Sequence, residues 1–193
     1  TPQLICHKDT IRYLGVLLDS QLSWKFHIEH VAQKISKSIG IIAKLRHFVP
    51  RQTMFSIYKA LIAPYVNYGI CSWGNAAKTH LKRVLVLQKR ALRLINFSNP
   101  REHTVPFFLQ IHSLPINFMF FERVCIMMHD IFNSQAPDNL NCLFRSLEDV
   151  HRYTTRSTSN KCIYVDGVRT ESCRRSFRFM GAKIWNSLPV SIK

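Results

Sequence analysis

The sequence predicts a mainly α fold of the α+β class, and three observations predict it. Apolar residues recur at helical spacing through most of residues 26–95 and again through 116–134. Pro50, Pro64, Pro100 and Pro137 punctuate those stretches. Strand-like runs are few and short, the best being residues 10–19. Hydrophobic residues make up 47% of the 193-residue chain, enough for a real core in one domain or two small ones.

Residues 10–19 mix Ile11, Tyr13, Val16, Leu17 and Leu18 and end in Asp19-Ser20. That pattern suits a buried strand closing at a turn, or a short hairpin. Leu4-Ile5-Cys6 is a candidate partial strand before it. A first long helix is expected over 26–48, with Ile28, Val31, Ala32, Ile35, Ile39 and Ile42 as its apolar stripe. Lys34, Lys37 and Lys44 fall on the opposite side, and Gly40 is a weak spot. A second helix is expected over 51–68, ended or kinked by Pro64. Residues 65–73 are aromatic and apolar, hence packed, and 75–79 read as a connection.

The most regular helix is expected over 81–95. Leu81, Val84, Leu85, Leu87, Ala91, Leu92, Leu94 and Ile95 share one broad face, and Lys82, Arg83, Lys89, Arg90 and Arg93 share the other. Residues 96–106 read as a loop and internal boundary, 104–112 as a short helix, and 116–134 as a long helix dense in Phe and Met. From 147 to 160 the chain turns polar, with Arg152-Tyr153-Thr154-Thr155-Arg156. Short strands are expected at 162–165 and 176–179, and a last helical turn at 181–188 around Trp185. The expected organisation is a strand remnant over 1–24, a three-helix bundle over 25–98, and a second helical region with a loose basic tail over 99–193.

The formal net charge is +16, with 27 Lys+Arg against 11 Asp+Glu. Residues 1–100 hold 15 of the basic and 3 of the acidic side chains, and no Asp or Glu occurs from 30 to 101. A solvated helix face normally mixes both signs, so an acid-free face asks for a polyanion, gripped through phosphates and without sequence readout. The candidate nucleic-acid contacts are therefore Lys34, Lys37, Lys44, Lys82, Arg83, Lys89, Arg90 and Arg93. Tyr58, Tyr65, Tyr68, Trp73 and Phe48 could stack on bases, but at helical spacing such residues belong more often to a core.

No catalytic constellation emerges. Asp9 and Asp19 are expected at opposite ends of one strand, where they cannot converge on two divalent ions, and no Asp-Asp pair exists in the chain. His27 and His30, three apart on a helix, could share a metal but more often face solvent, and His103, His112 and His129 come no closer to a ligand set. There is no glycine-rich phosphate loop and no C-x-x-C pair. Six scattered cysteines point to free thiols in a reducing, intracellular compartment, nucleus or cytoplasm. No apolar run is long enough for a membrane span, and the start at Thr1 looks like a piece of something longer.

The ordered series Tyr13-Leu14-Gly15-Val16, Asp19, Leu22, Trp24, His27-Ile28, Lys34-Ile35, Leu45-Arg46, Tyr58-Lys59-Ala60-Leu61-Ile62 and Pro64-Tyr65-Val66-Asn67-Tyr68-Gly69 resembles the reverse transcriptases of non-LTR (LINE-type, jockey-like) retrotransposons. Trp73-Gly74, Leu87-Gln88-Lys89-Arg90-Ala91-Leu92-Arg93-Leu94-Ile95 and Ile184-Trp185-Asn186-Ser187-Leu188-Pro189 extend it over nearly the whole chain. The resemblance implies RNA-directed DNA polymerisation by the parent protein. Tyr13, Leu14 and Gly15 would form a primer-grip-like end of the palm, with Gly15 either allowing close backbone approach or merely serving a turn. The helices after it would be the thumb, holding a template–primer hybrid of RNA and DNA by shape and backbone. The Tyr-x-Asp-Asp motif, its partner carboxylate and the palm and fingers would lie upstream of Thr1. Mg²⁺ is thus expected for the parent polymerase, with no cofactor and no polymerase activity in this stretch alone. A helical module for an acidic protein or anionic surface, a domesticated or degenerate remnant, is the alternative.

Overall fold

The computed structural model describes residues 9–150 and 161–193. The Leu4-Ile5-Cys6 strand expectation and the Arg152-Tyr153-Thr154-Thr155-Arg156 run lie outside the described residues. The chain divides into two compact units, Thr1–Asn117 and Phe118–Lys193.

The first unit opens on an antiparallel pair, β1 (Thr10–Tyr13) and β2 (Val16–Asp19), in register Thr10↔Asp19 to Tyr13↔Val16. The expected run is therefore two strands joined at Leu14-Gly15. Both turn residues have positive φ, 44° and 83°, as a type I′ hairpin demands. Nor is the run buried: β1 is exposed throughout and β2 only half-covered up to Asp19.

Helix α1 (Lys25–Leu45) buries Ile28, Val31, Ala32, Ile35, Ile39 and Ile42, the whole expected stripe. Ser38 joins them, its hydroxyl donating to the carbonyls of Lys34 (3.2 Å) and Leu61 (3.0 Å). Pro50 precedes α2 (Arg51–Leu61). Pro64 breaks the next stretch as expected, and the chain restarts as α3 (Ala63–Asn67) with the proline in its first turn. A further short helix, α4 (Ile70–Trp73), follows Gly69. Helix α5 (Lys78–Ile95) packs against α1 and α2, and α6 (Val105–Gln110) rests on α5. Their shared core includes Tyr58, Ile62, Val66, Trp73, Val84, Leu92 and Ile95, all fully buried.

Helix α7 (Ile116–Phe132) leads into the second unit, which continues through α8 (Asp138–Asn141), α9 (Leu147–Val150), α10 (Glu171–Arg174) and α11 (Phe177–Ser187). The strand expected at 176–179 is helix instead. Ser176 caps α11 by accepting from the Phe179 N–H, and an N-cap serine outweighs the Phe-Arg-Phe alternation. Residues 162–165 supply only an isolated bridge, Ile163 to Ser146. Asn186 closes that segment on α11, accepting from the Ile163 N–H and donating to its carbonyl, both at 2.8 Å. Trp185 is buried, stacks on Phe132 at 4.7 Å, and donates to the Lys161 carbonyl. Gly181 of α11 leaves room for Met128 of α7: a Cβ there would lie 2.8 Å from the Met128 sulfur.

Candidate nucleic-acid interface

The hairpin is fastened to the helices at both ends. At its base, Asp19 turns inward and accepts from the N–H groups of Ser23 and Trp24, each at 2.9 Å. Burial pushes this carboxyl up, but the hydrogen bonds from Ser23 and Trp24 outweigh it and the net shift is downward. These bonds fix a loop in which Leu22 and Trp24 both hold positive φ. At its tip, the Tyr68 hydroxyl donates to the Leu14 carbonyl, and a Cβ at Gly15 would lie 3.4 Å from the Tyr68 ring.

Between base and tip, the Leu17 N–H donates to His27 Nδ1 at 3.3 Å. His27 is buried rather than solvent-facing, and its ring stands edge-on to Trp73 at 5.3 Å. Trp73 in turn donates to the Tyr68 carbonyl at 2.9 Å. Leu14, Tyr68, Trp73, His27 and Leu17 thus form one closed circuit. Burial, with a smaller contribution from His30, lowers the His27 pKa to about 4, so the ring is neutral near pH 7.

The tip itself stays open. Tyr13 and Leu14 are 64% and 73% exposed. Ile11, Leu22 and Phe26 add to an apolar exposed surface. Gly15 occupies the second turn position, so its glycine is explained by the turn.

The hairpin also corrects the expectation for the two aspartates. Folding back at Leu14-Gly15 brings Asp9 beside Ser20, whose N–H donates to the Asp9 carbonyl, so Asp9 and Asp19 share an end. The Asp19 oxygens are already taken by backbone donors. Among the described residues no group of three His, Cys, Asp or Glu could hold a metal ion. The described residues therefore do not fit the carboxylate set that Mg²⁺-dependent polymerisation requires.

On α5 the segregation of faces is nearly as expected, with two departures. Gln88 is fully buried on the apolar face, accepting from the Ile116 N–H at 3.0 Å and donating to the Tyr58 hydroxyl at 3.4 Å. Burial raises the Tyr58 pKa to about 12, with Gln88 and Ser113 opposing the shift. Val86 is 52% exposed amid the basic residues.

The basic side chains divide by their neighbours. Arg83 pairs with Glu29 of α1 at 3.1 Å, and both are exposed, so the pair is worth at most about 1 kcal/mol and yields readily to a phosphate. Arg93 donates twice to the Glu102 carbonyl, at 3.0 and 2.9 Å, and holds the 96–104 loop against α5. Lys82, Lys89 and Arg90 make no ion pair among the described residues. Lys37 and Lys44, seven apart on α1, are exposed, and Lys34 is half-covered. Arg83 lies on the flank of α5 nearest α1, whereas Lys82 and Lys89 fall on the far flank at about 100° of rotation per residue.

The aromatic residues split as well. Tyr58 and Trp73 are core, but Phe48, Tyr65 and Tyr68 are exposed by 85%, 40% and 57%. Phe48 follows the end of α1, and Tyr65 and Tyr68 lie on and just after the short α3, where helical periodicity gives little guidance.

Cys125, Cys142 and Cys173 are free thiols. Among the described residues no helix is long and apolar enough to cross a membrane.

No family model matches the chain, and no solved structure matches it. Curated proteins do. The chain is 35% identical over 98 residues to the "RNA-directed DNA polymerase from mobile element jockey" of Drosophila melanogaster, a match covering 49% of this chain and 11% of that protein. The jockey polymerase of Drosophila funebris gives 35% over 97 residues, covering 48% and 10%. The "Probable RNA-directed DNA polymerase from transposon X-element" of Drosophila melanogaster gives 33% over 88 residues, covering 44% and 10%. The similarity thus covers about half of the chain, rather than nearly all of it, and about a tenth of each relative. Over that half, the relatives of this chain are the reverse transcriptases of non-LTR retrotransposons of the jockey, X-element and BS type.

Proposed function

We propose that the first unit grips the sugar–phosphate backbone of an RNA–DNA template–primer hybrid, as the thumb of a retrotransposon reverse transcriptase. The observation that carries this reading is the α5 face, where Lys82, Lys89 and Arg90 stand without acidic partners on a helix whose opposite face is buried. Phosphate contacts need fixed positive charge and no base-reading geometry. Relatives that are RNA-directed DNA polymerases support the choice of hybrid as ligand.

On the same reading the tip Tyr13-Leu14-Gly15 sits beside the primer end. The exposed apolar side chains of Ile11, Tyr13, Leu14, Leu22 and Phe26 suit a protein partner, which is the upstream palm and fingers of the parent polymerase. The Mg²⁺-binding carboxylates belong to that palm, so the chain alone binds without extending a primer. Val86, exposed amid the basic face, favours the competing reading of an acidic protein or anionic surface on α5.

Titration of labelled RNA–DNA hybrid, acidic peptide and anionic lipid vesicles with the full chain separates the two. Preference for the hybrid at low salt is the expected result. Preference for peptide or vesicle, or no hybrid binding, overturns it, and metal-dependent primer extension by the chain alone contradicts the missing carboxylates.

A further inference from the structure

We propose that Phe97, backed by Arg46 and His47, is a stacking site for one unpaired nucleobase beside the gripped duplex. The inference rests on the nucleic-acid reading above and assigns it a second, single-stranded contact.

Helix α5 ends in a Schellman motif. The Ser98 N–H donates to the Arg93 carbonyl at 3.1 Å, and the Phe97 N–H to the Leu94 carbonyl at 3.4 Å. The donor of the second bond, the first residue past the cap in such a motif, adopts left-handed backbone and is usually glycine or asparagine. Here it is phenylalanine, with φ 52°. Two other helices end the same way, and they place His112 (φ 49°) and Ser134 (φ 55°) at this position. A large aromatic is thus held where its backbone is strained and glycine would be easier.

Packing does not account for it. Phe97 is 58% exposed, and the ring is backed by polar groups. The Arg46 guanidinium carbon sits 4.8 Å from its centroid, and the His47 ring meets it edge-on at 5.5 Å. Arg46 is itself fixed, donating to His47 Nε2 at 3.1 Å and to the Leu94 carbonyl at 3.5 Å. One face of the ring therefore carries a cation while the ring keeps exposed surface. An arginine–aromatic pair of this kind is a platform for a base, because every base offers a flat π face. Phe48, which follows His47 in sequence, is 85% exposed. The nearest acidic residue in sequence, Glu102, turns its carboxylate to the Asn99 N–H.

The test compares the full chain on three probes: a blunt RNA–DNA hybrid, the same hybrid with a short oligothymidine overhang, and one with an overhang of abasic units. The native chain is expected to bind the oligothymidine overhang roughly tenfold more tightly than the blunt or abasic probe. Phe97→Gly should abolish that preference, keep the blunt-hybrid affinity and melt no lower than the native chain, while Phe97→Tyr should keep the preference. Equal binding of blunt and thymidine probes, equal binding of thymidine and abasic overhangs, or a preference that survives Phe97→Gly overturns the stacking site and leaves duplex binding standing. Binding to none of the probes overturns both.

Discussion

The Tyr68 hydroxyl donates a hydrogen bond to the carbonyl of Leu14, 54 residues earlier in the chain. The bond ties the exposed tip of a two-stranded hairpin to the segment between α3 and α4. A lone hairpin is marginal in water; this one is steadied by the helices behind it, through Tyr68, Trp73, His27 and Leu17. Because the bond is exposed, Tyr68→Phe should lower global stability by no more than about 1 kcal/mol. Amide exchange around Leu14-Gly15 should nevertheless quicken. Unchanged exchange there would mean that Tyr68 does not hold the tip.

The turn sequence can be improved. Leu14 and Gly15 both hold positive φ, and Asn-Gly is the favoured pair for that geometry. Leu14→Asn should raise the midpoint of urea unfolding by an equivalent of about 0.5–1 kcal/mol, and Gly15→Ala should lower it by about 1 kcal/mol. A destabilising Leu14→Asn would show that the leucine side chain is needed for packing.

Gln88 is the buried polar residue on which α5, α2 and the start of α7 converge. Gln88→Ala leaves the Ile116 N–H without its acceptor and the Tyr58 hydroxyl without one partner. Chemical denaturation should register a loss of about 2–4 kcal/mol. A loss near zero would mean that water fills the site.

His27 gives stability a defined pH window. Its folded pKa, about 4, lies below the ordinary 6.5, so between those values the unfolded chain binds a proton that the folded chain refuses. Stability therefore falls as pH drops from about 6.5 to 4, by up to about 3 kcal/mol. Asp19 acts in a separate window. Its carboxyl is lowered, so its contribution is lost only as pH falls below the usual 3.8 through the folded value. Unfolding free energies across pH should show a shallower slope between pH 4 and 6.5 in His27→Gln than in the native chain. Parallel curves would remove His27 as the cause.

Much of this was legible in sequence because helical periodicity reports burial directly. The α1 stripe from Ile28 to Ile42, the break at Pro64 and most of the α5 faces follow from spacing alone. The errors arise where tertiary partners decide. Gln88 lies on an apolar face because Ile116 and Tyr58 need its amide, which no local pattern reveals. His27 is buried by β2 and Trp73, and Asp9 meets Asp19 because two residues form a tight turn. Arg83 and Arg93 read as free charges until Glu29 and the Glu102 carbonyl are placed beside them. The Phe97 position had a faint local signal: a helix ending at Ile95 with no glycine after it.

The salt dependence of hybrid binding tests the central claim most directly. If Lys82 and Lys89 grip phosphates, affinity for an RNA–DNA hybrid falls steeply as salt rises. Replacing both with alanine then flattens the log–log slope by about two units, equally for any sequence. The same slope in the double variant and the native chain, or no binding to a hybrid at low salt, would contradict it.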